Sequence, residues 1–590
     1  MCAPSFMQRE RESVAGASRV CRRVSSFTRM SSSRPPADTI LTGGRILSFD
    51  DASSLSEAIA IRGDRIVAVG RDLDVQALAG PETVVIPLRR RTVIPGIVDA
   101  HAHMEREGLK QLRLSLAGLR SVGEILERIA SEAERRPKGH WIVTMPVGQP
   151  PFYFGGPDTL AEKRMPDRHE LDRVAPDHPV CITGVFGNWG RPPGYTALNT
   201  LALHLNGIRR ESKPACSGVT IERDASGEPT GIIVEHNNRP TVEFDLLPAV
   251  PKFSGIDRLQ AIRTSMKLYN TVGTTSVYEG HGSAPETIAC YRQLAEEGAM
   301  SVRTSLTVSP TWRDAQEAAH AMRDWLAYAK GRGLGDEWLR IAGVFIGFGD
   351  DPAVARITRR ALPDTGWTGF VESANSVDEY RAYVALAAQN DLRVHTIVGD
   401  RLDEVLPILE ETDRVHPLAG RRWLLEHVGR VRPSNIPRLA RLGIHVTTIP
   451  AYQLWKNAER YLDDPDGGET AVPHRMLMGA DIPVAAGTDN IPYNPFFTVW
   501  ALVARKERTT GRVIGPGQQL GTEEALRLLT RNGSWLSFDE ARKGTLERGK
   551  LADLAVLSHD PRDAAVDELP QIRVVLTMVG GRIVHHDPWD

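Results

Sequence analysis

The chain has 590 residues, 72 Lys and Arg against 74 Asp and Glu, a formal net charge of -2, and 41% hydrophobic and 25% charged residues. It is long enough for one large catalytic core with additions, and it has neither the basic excess of a nucleic-acid binder nor the uninterrupted apolar run of a membrane span. Its five cysteines, Cys2, Cys21, Cys181, Cys216 and Cys290, include no CxxC pair, which argues against a disulfide framework and a thiolate zinc site and for a reducing compartment.

Residues 1–37 are rich in Arg and Ser (RERES, RVCRRVSS, MSSSRPP) and read as a disordered arm. A transit peptide is the lesser reading because of Glu10 and Glu12, and Met30 offers an alternative start. The first residues lack the apolar core of a secretory signal, so the expected location is the cytoplasm.

From Thr39 the pattern is short strands with Gly-Gly and Gly-Asp reversals: TILTGGRILSF, EAIAIRGDRIVAVG and ETVVIPLRRRTVIPG. Near the other end KLADLAVLS and IRVVLTMVGGRIVHH have the same character, and VGGRIV echoes TGGRIL. Residues 38–95 and 543–590 are therefore expected to build one composite β domain.

Between them apolar runs alternate with helical stretches, as in TTSVYEG before APETIACYRQLAEEG and SVRTSLTVS before RDAQEAAHAMRDWLAYAKG. Such alternation predicts parallel strands with crossover helices. VIPGIVDAHAHM, TTSVYEG, SVRTSLTVS, RIAGVFIGFG, LRVHTIV, RWLLEHV, IHVTTIP and PVAAGTD make eight candidate strands, the number a closed (β/α)8 barrel needs. The barrel is placed at 96–542, with an insertion over about 110–270 that has strands of its own (HWIVTMPV, HPVCITGVF).

The first of these strands ends in His101-Ala-His103, and alternation puts both imidazoles on one side. His395 in LRVHTIVGD, His427 at the end of RWLLEH and Asp489 at the end of PVAAGTD also follow apolar strands, and in such barrels the C-terminal strand ends carry the active site. Imidazoles with a carboxylate suit zinc or a related divalent ion, with one position left for water that ionises near neutral pH. Asp489 is suited to take the water's proton and pass it to a leaving nitrogen, and His427 to ligate the metal or polarise a carbonyl.

PGIVDAHAHM, LRVHTIVGDR, LLEHV, AAGTDNIPYNPF and GTLERGKLADLAVLS resemble the amidohydrolase superfamily, specifically its YtcJ-like branch, amidohydrolase family 3, which includes N-substituted formamide deformylases. TALNTLALHLNGI, GEPTGIIVE and EEALRLLTRNGSWLSFDE extend the likeness, which covers the chain from residue 39 onward. The resemblance implies a TIM barrel with a β-sandwich from both chain ends and one or two divalent metals. His101 and His103 then stand where the family has its first metal pair, His395 and His427 where it has the ligands of strands five and six, and Asp489 where it has the strand-eight ligand and proton shuttle.

One departure stands out. Members with two metals carry a carboxylated lysine on strand four, and RIAGVFIGFGD has Phe345 there. Phenylalanine bridges no cations, so one ion, zinc by expectation, is favoured over two; Glu279 in SVYEGHG, beside His281, is the available substitute bridge. Trp189, Tyr195, Tyr452, Trp455 and Tyr493 fall in loops of the active face, as substrate contacts or as packing.

The expected activity is hydrolysis of an amide, N-substituted formamide or cyclic amide. Two readings compete with it: deamination of an amino-heterocycle at a mononuclear site, and a small-molecule-binding barrel that has lost catalysis. A small-molecule substrate is the expected partner, with no nucleic acid and no membrane; homo-oligomers are common for such barrels, though no feature of this sequence calls for one.

Overall fold

The computed structural model describes residues 35–184, 191–237, 240–309, 312–324, 331–349, 352–361 and 375–589. The expected arm falls outside them except for its last three residues, of which Ala37 is buried and donates its N–H to the Leu78 carbonyl.

Eight parallel strands follow one another around a barrel: β1 (Ile97–Ala102), β2 (Thr274–Ser283), β3 (Arg303–Val308), β4 (Leu339–Phe345), β5 (Val394–Ile397), β6 (Leu424–Glu426), β7 (His445–Thr448) and β8 (Val484–Ala486). Each is paired in parallel with the next from β1 to β8. Helices such as Pro285–Glu296, Val377–Gln389, Leu402–Val415 and Pro495–Ala504 lie between consecutive strands or after the last. All eight strands fall on the runs marked in the sequence.

The main core lies between strands and helices, where outward residues such as Val344, Val394, Leu425 and Val446 meet Tyr383, Val384, Leu406 and Leu439. Inside the barrel a layer of mostly small residues, Ala100, Tyr278, Ala342, Leu424 and Ala485, leaves room for the polar groups above it. β8 and β1 meet without a regular ladder, and the seam is closed by particular groups. The Asp489 N–H donates to the His101 carbonyl at 2.9 Å, and Gly487 lets the strands approach, since a Cβ there would lie 2.6 Å from the His101 backbone nitrogen.

The chain ends build two further sheets, the first from N-terminal strands alone and the second from both ends. One is made of Arg65–Gly70, Ala58–Arg62, Thr39–Thr42 and Val84–Pro87; the other joins Arg582–His586, Val574–Val579 and Leu554–Leu557 to Thr92–Pro95, Arg45–Leu47 and Leu55–Ser56. Leu41, Ile59 and Ile66 of the first pack on Val93, Val556 and Met578 of the second. The strands after TGG and after VGG thus share one sheet.

Between β1 and β2 the chain builds a five-stranded sheet ordered Val219–Arg223, Pro229–Glu235, Gly194–Leu198, Val180–Ile182 and Ile142–Thr144. Its apolar residues form clusters of their own with the helices Val122–Arg135 and Arg168–Val174. No helix among the described residues is long and apolar enough to cross a membrane.

Candidate metal centre

Alternation along β1 aims Asp99, His101 and His103 to one side, and all three are buried. The Asp99 carboxylate accepts from the Thr488 N–H at 2.9 Å and the Thr488 hydroxyl at 2.6 Å, which ties the root of the histidine pair to β8. Burial pushes the Asp99 carboxyl up to about 7 against these hydrogen bonds.

Facing this pair, β6 and β8 end in left-handed backbone: φ is 52° at His427, 52° at Asp489 and 60° at Asn490. Such conformations are costly outside glycine and cluster at functional sites. At His427 the departure breaks strand alternation, so the consecutive residues Glu426 and His427 both reach His101. The Gln453 amide holds the His427 carbonyl at 2.6 Å, and the Asn490 side chain accepts from the His103 N–H at 2.9 Å.

The four side chains then converge. His101 Nε2 lies 3.0 Å from His427 Nε2, Asp489 Oδ1 lies 3.3 Å from His103 Nε2 and 4.0 Å from His101 Nε2, and Asp489 Oδ2 lies 3.7 Å from His427 Nε2. His101, His427 and Asp489 offer one ligand atom each, all within 4.8 Å of one another. Burial pushes His101 down to about 4, against the upward pull of Asp489, and His427 down to about 3, so both imidazoles are neutral and keep a lone pair. Neither oxygen of the Asp489 carboxylate has a hydrogen-bond partner although the side chain is buried. Two neutral imidazoles whose Nε2 atoms meet 3.0 Å apart beside a buried carboxylate that accepts no hydrogen bond offer nitrogen and oxygen ligand atoms to one cation. The residues therefore fit a divalent metal.

His395 is placed differently. Its Nδ1 lies 2.9 Å from Glu426 Oε1 and its Nε2 3.2 Å from the Tyr278 hydroxyl, and like His103 it is outside the group formed by His101, His427 and Asp489. Glu426, fully buried, has its other oxygen 3.3 Å from His101 Nδ1. Glu279 stands behind His103: its Oε2 is 3.6 Å from His103 Nδ1, and its Oε1 accepts from the Met104 N–H and the Tyr291 hydroxyl, each at 2.9 Å. Phe345 ends β4, pairs with His395 and packs on His281 with ring centroids 4.8 Å apart.

Of the aromatics expected in loops, Tyr452 and Trp455 lie instead on the short helix Ala451–Lys456, and Tyr452 meets the His427 ring edge-on at 5.6 Å. Trp455 packs among Phe152, Phe154 and Phe497, and Tyr493 stacks on Tyr269. Tyr195 lies in the sheet of the insertion, and Trp189 falls outside the described residues. Sequence reasoning missed Asp99, Glu426 and Arg106, whose Nη1 is 3.9 Å from Asp489 Oδ1. Two of them were signalled: Asp99 shares the face of His101 two residues on, and Glu426 adjoins His427.

A parallel eight-stranded barrel with imidazoles and a carboxylate gathered at the C-terminal strand ends is the architecture of a barrel enzyme with a candidate metal centre at its mouth. The model of the amidohydrolase family matches residues 84–585, and the chain belongs to that family, whose members hydrolyse carbon-nitrogen bonds other than peptide bonds. The chain is 26% identical to the N-substituted formamide deformylase of Arthrobacter pascens over 92% of its own length and 97% of that protein's. It is also 26% identical to the amidohydrolase YtcJ of Bacillus subtilis, over 92% and 98%. A metal-dependent hydrolase structure from Pyrococcus furiosus superposes on 89% of this chain and 100% of that one, with a TM-score of 0.63 and 21% identity.

Proposed function

We propose that the protein hydrolyses an amide, an N-substituted formamide or a cyclic amide, with one zinc ion held by His101, His103, His427 and Asp489. The observation that carries this reading is the buried Asp489 carboxylate without a hydrogen-bond partner, set against the His101 and His427 Nε2 atoms 3.0 Å apart. A divalent ion there would polarise the substrate carbonyl and lower the pKa of water.

The chain's own residues supply the rest. Asp489, within reach of the reacting centre, takes a proton from water at one oxygen and delivers it to the departing nitrogen. Its left-handed backbone and the Asp489 N–H bond to the His101 carbonyl hold that carboxylate in place. Arg106, fully buried, offsets its charge. The Tyr452 ring stands edge-on to His427 and offers an apolar wall to the substrate.

The test is to count metal ions per chain and to assay N-substituted formamides, simple and cyclic amides and amino-heterocycles, reading formate or carboxylate against ammonia. About one zinc per chain with formate or carboxylate release is the expected result. Ammonia release from amino-heterocycles alone would replace this reading with deamination, and a purified chain with no bound metal and no turnover would remove catalysis altogether.

A further inference from the structure

We propose that Lys456 determines specificity at this site: its ammonium receives a carboxylate carried by the substrate at the end remote from the carbon-nitrogen bond to be cut; this rests on the metal-hydrolase reading above.

The first ground is position. Lys456 ends the short helix Ala451–Lys456 after β7 and is buried. That helix is wound wide, with the Asn457 N–H donating to the carbonyl of Tyr452, five residues back, at 3.1 Å, a rare form that is frequent at functional sites. The Lys456 ammonium lies over the Tyr452 ring, 5.0 Å from its centroid, and the same ring meets His427 edge-on at 5.6 Å. One aromatic ring thus separates a buried cation from the metal centre. A substrate that lies along Tyr452 with its scissile bond at His427 and Asp489 brings its far end to Lys456.

The second ground is charge. A buried ammonium is costly unless an anion compensates it. Burial pushes Lys456 down to about 7, Asp489 pulls it up and Arg191 pushes it further down. Asp489 has a counter-charge of its own in Arg106, 3.9 Å away. Toward the rim the chain adds more cations. Burial, then Arg508, lower the pKa of Arg191 in turn, and Arg191 is paired with Glu459. The Arg508 guanidinium lies 4.5 Å over the Phe154 ring, and its Nε is buried with no hydrogen-bond partner among the described residues. The Arg508 N–H donates to the Trp455 carbonyl at 3.3 Å, which ties it to the helix of Lys456. Glu507, the acid next to Arg508, is turned to the N–H groups of Thr509 and Thr510 at 2.7 and 2.6 Å. Arg508 and Arg191 therefore attract an anion at the rim, and Lys456 holds it inside. An incoming carboxylate favours the charged form of Lys456 that burial disfavours.

The deciding experiment compares wild type, Lys456→Met and Arg508→Gln, each checked for folding by circular dichroism and for zinc per chain. Calorimetry reads the binding of 4-acetylbenzoate and of its uncharged counterpart 4-methylacetophenone, two ketones that resist hydrolysis. Turnover is read on 4-formamidobenzoate and on N-(4-methylphenyl)formamide. Wild type is expected to bind the charged ketone more tightly and to show the lower KM for the charged formamide. Lys456→Met is expected to reduce both preferences about 10- to 100-fold with the wild-type zinc count. A merely structural role would shift both members of each pair together and leave the ratios alone. Arg508→Gln is expected to weaken the preference less, and only at low ionic strength. A wild type that prefers neither charged probe, or a folded Lys456→Met protein that keeps the wild-type ratios, as it would if the carboxylate sat on the zinc, overturns the assignment alone. A wild type without zinc or turnover that still binds 4-acetylbenzoate through Lys456 overturns the hydrolase reading and leaves Lys456 an anion receptor.

Discussion

The hydroxyl of Thr488 donates to the carboxylate of Asp99 at 2.6 Å, across 389 residues of sequence and across the one gap in the strand ladder of the barrel. With the Thr488 N–H on the other oxygen, this pair joins the last strand to the first at the level where His101 begins to face inward. Thr488→Val keeps the shape and removes the donor, leaving a buried carboxylate oxygen short of its partner. The expected cost is about 1–3 kcal/mol, read as a lower denaturant midpoint with an unchanged slope.

Asp489→Asn separates chemistry from architecture. Asparagine tolerates left-handed backbone nearly as well as aspartate, so the φ of 52° at this position is not a reason for the variant to misfold. Its amide cannot accept a proton from water as a carboxylate does. Turnover is expected to fall about 10²- to 10⁴-fold, with thermal midpoints close to wild type; activity within a factor of three of wild type would show that another group moves the proton.

The floor of the barrel predicts a dependence on acid. Burial pushes the Asp539 carboxyl up, but Lys543, Arg340 and Arg332 outweigh it and hold it well below its ordinary 3.8. Arg340 Nη1 lies 3.1 Å from Asp539, Arg332 Nη2 3.3 Å and Lys543 Nζ 3.6 Å. A depressed carboxylate pKa contributes stability that is present above the unfolded value and lost as pH falls toward the folded one. The advantage of wild type over Asp539→Asn is therefore expected to be full above about pH 5, on the order of 3–5 kcal/mol for a buried cation left without its partner, and to shrink below pH 4. Chemical denaturation of both proteins across that range checks it; a difference that grows in acid would contradict the assignment.

Trp455 joins the insertion to the barrel. It stands on the short helix Ala451–Lys456 that follows β7, 4.9 Å from Phe152 and 5.0 Å from Phe497 between ring centroids. Because the ring is half-buried, Trp455→Ala is expected to cost about 2 kcal/mol, less than a core deletion. Limited proteolysis should then cut the loop 146–158 faster than in wild type while leaving the barrel intact.

Much of this architecture was legible because it rests on local patterns. Each barrel strand is a short apolar run between turn residues, and covalent alternation puts His101 and His103 on one face whatever lies around them. Asp489 and His427 were legible for the same reason, each standing where an apolar strand gives out. The extra contacts were not. Glu426 shares a side with His427 only because the backbone turns left-handed at His427, and two-residue periodicity predicts the opposite.

The sequence by itself determined the order of strands and helices, the pairing of the chain ends in one sheet and the residue types gathered at the barrel mouth, since all of these follow from periodicity and composition along the chain. Only the tertiary structure decided how deep each side chain sits. His395 and His427 both follow apolar strands, yet His395 pairs with Leu424, three residues short of His427. That difference depends on the register between β5 and β6, which packing of the whole barrel sets and no single segment encodes.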